Sequence, residues 1–335
     1  MKKRVFSGIQ PSGHIHIGNY IGAVRNWLVN LADRDNIFCV VDQHAITLPY
    51  DPEALRRGTR EAVALYIACG LDPQKCRLFV QSHIPEHTEL AWLLTCITPM
   101  GWLERMTQFK DRVGFDLSSA EGARRERVGT GLFVYPTLMA ADILLYQAHE
   151  VPVGDDQKQH VELTRDIAER FNRQFGEVFT VPEPVIPQVG ARIMGLDDPT
   201  AKMSKSAEGQ YHSVGLLDDP DKVRKTVMRA VTDSQQGIVF DPQRPGLYNL
   251  LTIYQALTGL GNDEIEAHFA GKGYGDLKKE LVEVVIAEIE PIQVRYRELT
   301  ADPAYIDEVL AESVEKLRPI VDATMDAVRR AMGHR

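Results

Sequence analysis

Cysteine is scarce in this chain: Cys39, Cys69, Cys76 and Cys96 are the four in 335 residues, and no two stand at Cys-x-x-Cys spacing. Each sits among apolar neighbours, which argues against a disulfide framework or a zinc site and predicts buried free thiols in a reducing compartment. Long apolar runs are missing too, none approaching the roughly 18 residues of a membrane span. Behind Met1-Lys2-Lys3-Arg4 only Val5 and Phe6 precede Ser7-Gly8, too little for the apolar stretch of a secretory signal. The expectation is a cytoplasmic chain without a membrane anchor. Positive charge is in deficit, 38 Lys and Arg against 47 Asp and Glu for a net −9, which excludes a generic nucleic-acid coat. A partner docking on local basic patches is not excluded. Candidate patches are Arg124, Arg125 and Arg127; Lys222, Arg224, Lys225 and Arg229; Lys278-Lys279; and Arg329-Arg330. For any one of them a solvated helix face is the plainer reading.

What is present is an ordinary globular composition, 44% hydrophobic and 25% charged, long enough for two domains. The first informative stretch is Ser7-Gly-Ile-Gln-Pro-Ser-Gly-His-Ile-His-Ile-Gly-Asn-Tyr20. Its apolar run stops at Ser7-Gly8, Pro11-Ser12-Gly13 turns, and an apolar periodicity comes next, so it parses as strand, glycine-bearing turn and helix. Such a turn presents backbone N–H groups to an anion, with Gly8, Gly13 and Gly18 permitting close approach and His14, His16 and Asn19 adding donors.

Further along, 36–41 is an unbroken apolar run of strand length, the kind a parallel sheet buries on both faces. Residues 51–70 read as a helix with Asp51 as cap, Pro52 in its first turn and Gly70 past its end. A third strand covers 78–80, and 86–109 is helical with a break at Pro99 and Gly101. Strands alternating with helices predict an α/β fold, a doubly wound parallel sheet of Rossmann type, whose ligands gather at the strands' carboxyl ends. The segments 8–13, 42–44 and 81–83 fall there. Residues 110–131 are long, polar and glycine-bearing, which predicts a mobile functional loop.

The helix 135–146 is strongly apolar yet carries Asp142, and a carboxylate buried there requires a partner. A core salt bridge and a ligand contact both satisfy that demand. A short strand then ends in the acidic turn Gly154-Asp155-Asp156, followed by an amphipathic helix over 159–175. After 206 the pattern is helical only, at 218–230, 247–258, 263–269, 277–290 and a last stretch from Leu310 to Met332, with Pro291 and Pro319 expected to end or kink their helices.

Two motifs far apart carry a resemblance. His16-Ile-Gly-Asn19 and Lys202-Met-Ser-Lys-Ser206, in that order, resemble the signatures of class I aminoacyl-tRNA synthetases. Ser7–Gly13, Val41-Asp-Gln-His-Ala-Ile-Thr47, Met139-Ala-Ala-Asp142, Val151-Pro-Val-Gly-Asp-Asp-Gln-Lys-Gln-His160, Gly190-Ala-Arg-Ile-Met194 and Ala230-Val-Thr-Asp-Ser234 extend it, across the whole chain, to the bacterial tryptophanyl-tRNA synthetase family. Two positions depart from that family: His16 stands where Thr is usual, and Arg112 where a phosphate-binding Lys is often found.

The resemblance implies a catalytic domain over 1–212, with the mobile loop 110–131 and the signature loop 202–206, and a helical anticodon-binding domain over 213–335. It implies activation of L-tryptophan by ATP, pyrophosphate release, transfer to the 3′-terminal adenosine of tRNA(Trp), and a homodimer. The apolar segment 90–103, with Trp92 and Trp102, is a candidate dimer surface or, equally, core. His16, Asn19, Lys202 and Lys205 are the implied catalytic contacts to the phosphates. Gln10, Pro11, Ser12, Gly18, Gly154, Asp155, Asp156, Ile193, Met203, Ser204 and Ser206 would complete the ATP site, with Mg2+ carried by the nucleotide. Asp142 would accept the indole N–H within walls of Phe6, Met139, Val151 and Val153, and Gln157 and Tyr135 would meet the ammonium group, with His44 nearby. Rival readings stay open: a tyrosyl-tRNA synthetase, since Asp also accepts from a phenol; a small-molecule nucleotidyltransferase, which would have no use for the Lys202 motif; and an inactive RNA-binding relative.

Overall fold

In the computed structural model, residues 2–11, 15–29, 31–107, 129–185, 192–204 and 209–334 are described, with the side chains of Asp155 and Asp156 left aside. Among these, five strands form one parallel sheet: β1 (Arg4–Ile9), β2 (Asp35–Val40), β3 (Arg77–Val80), β4 (Glu150–Pro152) and β5 (Glu183–Val185), in the order β3-β2-β1-β4-β5. The chain moves outward from β1 to β3 and then returns to the far side of β1. Strand order therefore reverses between β1 and β4, the place where doubly wound sheets open a crevice at their carboxyl ends.

Side chains alternate across the sheet with period two. Ile9, Phe38, Val40, Leu78 and Val80 point into one core, shared with Leu65 and Ile67 of the Pro52–Ala68 helix and with Leu281 and Val285 of the Tyr274–Ala301 helix. Phe6, Ile37, Cys39 and Phe79 point into the other, with Leu90, Leu94, Ile143 and Leu144. Leu317, Val321, Met325 and Val328 of the final helix, Pro303–Ala331, belong to this second core, so the C-terminal helices cover the sheet on both sides.

The local expectations hold where a cap or a periodicity specified them. Asp51 accepts a hydrogen bond from the Ala54 N–H at 2.7 Å, Pro52 opens the helix, and Gly70 follows it at φ 111°. The break after Ile97 belongs to Pro99 alone, because proline pushes the preceding residue, Thr98, into extended backbone; Gly101 lies inside the next helix, Met100–Glu104. Most of the loop expected over 110–131 lies outside the described residues, and Gly131 already begins the helix Gly131–Leu144.

One expectation is narrowed and two need correction. Neither Pro291 nor Pro319 ends its helix: Tyr274–Ala301 and Pro303–Ala331 run through them. A proline inside a helix costs about 3 kcal/mol, and buried side chains on both flanks, such as Val285, Ile289 and Ile292, outweigh it. Cys39, Cys69 and Cys76 are buried free thiols as expected, but Cys96 is exposed, on the side of its helix that also leaves Trp92 68% exposed. The helix expected to start at 159 starts at Asp155, directly on the acidic turn.

Candidate active site

The carboxyl end of β1 leads, through residues of which 12–14 are outside the described set, to His16 and a helical segment with one π-turn (Ile17–Asn19, Tyr20–Val24, Arg25–Val29). His16 is 7% exposed and caps this segment. Its Nδ1 accepts from the Asn19 N–H at 3.2 Å, while Asn19 Oδ1 accepts from the His16 N–H at 3.5 Å. Both side chains are thereby oriented. With Nδ1 accepting, a neutral His16 ring carries its proton on Nε2, and Asn19 keeps its amide hydrogens to donate.

The ring is neutral because burial, and then the positive charges of Lys202 and His212, hold its pKa down at about 4. An unfolded histidine takes up a proton near pH 6.5, so the folded chain is increasingly penalised as pH falls from there toward 4. The unfolding free energy of the protein minus that of His16→Asn is accordingly expected to shrink over that window in denaturant titrations. A difference that stayed constant with pH would mean that His16 is not held neutral.

Gly18 is glycine for a reason the sequence did not disclose. A Cβ there would lie 3.0 Å from His16 Nδ1 and 3.3 Å from the Ile193 Cβ. Ile193 and the distant signature motif thus meet the first motif in space. The Met203 N–H donates to the Ile193 carbonyl at 3.1 Å, and Met194 pairs with Lys202 across an antiparallel bridge. Lys202 is exposed and Met203 is buried at the base. Gln10 and Pro11 follow β1, and Gly154 follows β4 as the cap of the Asp155–Phe175 helix, so both lie beside the strand-order reversal. Ser12, Lys205, Ser206 and Arg112 lie outside the described residues.

The second half of the site centres on Asp142, 1% exposed on the Gly131–Leu144 helix. Three donors reach it: His44 Nε2 to Oδ2 at 2.7 Å, Gln81 Nε2 to Oδ1 at 2.7 Å, and His87 Nδ1 to Oδ1 at 2.6 Å. Burial raises its pKa, but the charge and hydrogen bond of His44 and the hydrogen bond of His87 outweigh that and hold the carboxyl below its ordinary value. Behind it, His87 Nε2 and the Tyr146 hydroxyl are 2.7 Å apart. Burial pushes the Tyr146 phenol up, so the hydroxyl keeps its proton and donates it to Nε2. His87 then donates from Nδ1 to Asp142.

Gln81 is held in turn by the Gln43 N–H, which donates to its Oε1 at 3.0 Å. A carboxylate offers about four acceptor positions. Two on Oδ1 and one on Oδ2 are filled, leaving Oδ2 one more. The expected apolar walls share this core: Phe6, stacked on Tyr146 at 5.7 Å, and Val151 are buried, while Met139 and Val153 pack against it partly buried.

His44 bonds Asp142 and also lies edge-on to Tyr135, ring centroids 6.2 Å apart, so it stands beside that ammonium candidate while serving the buried carboxylate. Tyr135 is tied through its hydroxyl to His160 Nε2 at 2.6 Å, and Gln157 lies in the first turn of the Asp155–Phe175 helix. His87 and Tyr146 were not foreseen, and Gln81 only through its segment, 81–83, at the strands' carboxyl ends. Sequence reasoning demanded a partner for Asp142 but could not say which polar residue, 55 to 98 positions away, would supply it. Among the basic patches, Lys222, Arg224 and Arg329 are paired with Asp218, Glu283 and Glu89, whereas Arg229 lies over the Tyr211 ring at 4.5 Å.

Comparison with known proteins agrees with this fold. Residues 1–290 match the family model for class I tRNA synthetases (W and Y). The chain is 53% identical over 333 residues to the tryptophan–tRNA ligase of Wolinella succinogenes, covering 99% of each. Its fold is similar to the tryptophanyl-tRNA synthetase of Mycoplasma pneumoniae, with a TM-score of 0.87 at 36% identity over 99% of this chain and 98% of that one. It is also similar to the Campylobacter jejuni enzyme complexed with ADP and tryptophan, with a TM-score of 0.83 at 36% identity over 98% and 99% of the two chains.

Proposed function

From the premise that this chain belongs to the class I tRNA synthetases of the tryptophan and tyrosine family, we propose how its residues divide the work of that reaction. The enzyme is an ATP-dependent aminoacyl-tRNA ligase, and its amino acid is tryptophan. The tryptophan carboxylate attacks the α-phosphorus of ATP, pyrophosphate leaves, and the acyl group of the adenylate then passes to the terminal adenosine of tRNA(Trp). Little of this requires covalent participation by protein; alignment and charge stabilisation carry it.

His16 donates from Nε2 and Asn19 from its amide to the phosphates, and neither changes protonation state. Lys202, on an exposed turn anchored to Ile193, follows the charge that builds on the departing pyrophosphate, a task suited to a mobile point charge. Lys205, Ser204 and Ser206 extend that contact. Gln10, Pro11, Ser12, Gly18, Ile193, Met203, Gly154 and the adjoining Asp155-Asp156 complete the nucleotide site. Mg2+ would enter on the nucleotide and would shield its phosphates. Among the described residues no group of three or more His, Cys, Asp or Glu side chains gathers as a dedicated site for it.

The indole N–H takes the remaining acceptor position on Asp142 Oδ2, between Phe6, Met139, Val151 and Val153. That one position, on a carboxylate kept ionised by His44 and His87, is the observation that carries the amino-acid assignment. Gln157 and Tyr135 face the ammonium end. Residues 213–335 provide the surface for the tRNA, with Lys225 and Arg229 on it. Exposed Trp92 and Met100, 68% and 67% accessible on neighbouring helices, support a homodimer through that face. No helix among the described residues is long and apolar enough to cross a membrane; the cytoplasm is the proposed location. The test is ATP–pyrophosphate exchange with each of the twenty amino acids. Exchange with tryptophan alone is expected, and faster exchange with tyrosine would overturn the reading.

A further inference from the structure

Outside both signature motifs, one buried histidine touches the base of the second. His212 is 4% exposed, and each of its ring nitrogens faces an acceptor: Nδ1 lies 2.6 Å from Asp197 Oδ1, and Nε2 lies 3.1 Å from the Lys202 carbonyl oxygen. Neither a carboxylate nor a carbonyl has a proton to give, so the ring donates at both ends, and the short contact to Asp197 is charge-assisted. The chain has made room for this ring. A Cβ on Gly195 would fall on the His212 imidazole. The Leu196 N–H, one residue on, donates to the His212 carbonyl at 3.0 Å.

The residues just after His212 tie it to the first motif. Two positions on, the chain pairs with that motif: the Ile17 N–H donates to the Val214 carbonyl at 2.8 Å, and the Leu216 N–H donates to the Ile15 carbonyl at 2.9 Å, with His16 bridged to Gly215 between them. Residues 212–216 thus hold Lys202 at one end and His16 at the other. On the Lys202 side the turn is closed by the Gly195 N–H donating to the Ala201 carbonyl at 2.8 Å.

We propose that His212 is a positioning residue of the nucleotide site, clamping the Lys202 backbone to Asp197 so that the two signature motifs stay at a working distance. It touches no substrate. It acts through Lys202 and therefore rests on the reading of Lys202 as a phosphate contact.

The test is steady-state ATP–pyrophosphate exchange on the full chain, with thermal unfolding measured on every variant. His212→Ala is expected to lower kcat/KM for ATP roughly 10- to 100-fold, the scale of a displacement near 1 Å, while leaving KM for tryptophan within about twofold. Asp197→Asn, which keeps an oxygen to accept from Nδ1 but loses the charge behind that contact, is expected to show a smaller loss of the same kind, in kcat/KM for ATP and not in KM for tryptophan, so it reports on the clamp if the alanine variant unfolds. Gly195→Ala is expected to reproduce the His212→Ala defect by expelling the ring, and to add little to it in the double variant, the signature of two changes acting at one contact.

Equal losses for ATP and tryptophan, or a lower melting temperature with unchanged ATP kinetics, would overturn the proposal by making His212 a fold residue only. Lys202→Ala separates the two levels of inference. If that change also leaves ATP kinetics intact, the phosphate contact itself is wrong; if it is damaging while His212→Ala is silent, only the clamp is wrong.

Discussion

Asp142→Ala is expected to abolish the preference for tryptophan over phenylalanine, a loss on the order of 10⁴-fold in relative kcat/KM, while the KM for ATP moves little. A site built to pair a substrate donor rejects an analogue lacking it because its own buried acceptor would be stranded, and that penalty reaches about 10⁴- to 10⁵-fold at comparable sites. With the carboxylate gone, the apolar walls of Phe6, Met139, Val151 and Val153 distinguish two aromatic side chains only by size. The alanine change also strands the donors of His44, Gln81 and His87 in the core, at about 1–3 kcal/mol for each left unpaired, so a lower melting temperature accompanies it.

Asp142→Asn distinguishes the chemistry from the destabilisation. An amide retains one oxygen for Gln81 and His87, but it turns an N–H toward the position where the indole N–H must be accepted. It should therefore fold better than the alanine variant and still fail to activate tryptophan. Wild-type exchange with tryptophan in Asp142→Asn would remove Asp142 from the pocket.

Lys202→Ala carries the second large effect, a fall of roughly 10²- to 10³-fold in the single-turnover rate of adenylate formation, the scale seen when one preorganised charge contact is lost. The side chain is exposed, so its truncation leaves no cavity, and the melting temperature should be unchanged. The KM for tryptophan should also be unchanged, since charge develops on the phosphates and not on the amino acid. Lys202→Arg is expected to recover only part of the rate, because the planar guanidinium fork holds one geometry whereas the ammonium follows the leaving group. Full activity in Lys202→Ala would reassign the second signature motif.

Much of the fold was legible because its signals are local. Apolar runs of strand length at 36–41 and 78–80 became β2 and β3, and Asp51, Pro52 and Gly70 bounded the Pro52–Ala68 helix as their backbone preferences require. That neither Pro291 nor Pro319 ends its helix was not legible, for the complementary reason. A proline's cost is local and visible in sequence, whereas the burial that outweighs it comes from elements far away in the chain. Cys96 shows the same limit: an apolar neighbourhood in sequence does not say which side of a helix faces the core.

The site divides along that line. Order and residue type in His16-Ile-Gly-Asn19 and Lys202-Met-Ser-Lys-Ser206, and a lone acid in the apolar helix around Asp142, were determined by the sequence itself, because anion-binding turns and buried charges demand particular residues wherever they occur. Which groups answer those demands was decided only by tertiary structure. The strand reversal between β1 and β4 brings the carboxyl ends of the strands together, and only then do His44, Gln81 and His87 converge on one carboxylate, and His212 on the carbonyl of Lys202. A hydrogen bond acts over about 3 Å of space and is indifferent to separation along the chain, so its partners are settled by the packing of the whole molecule.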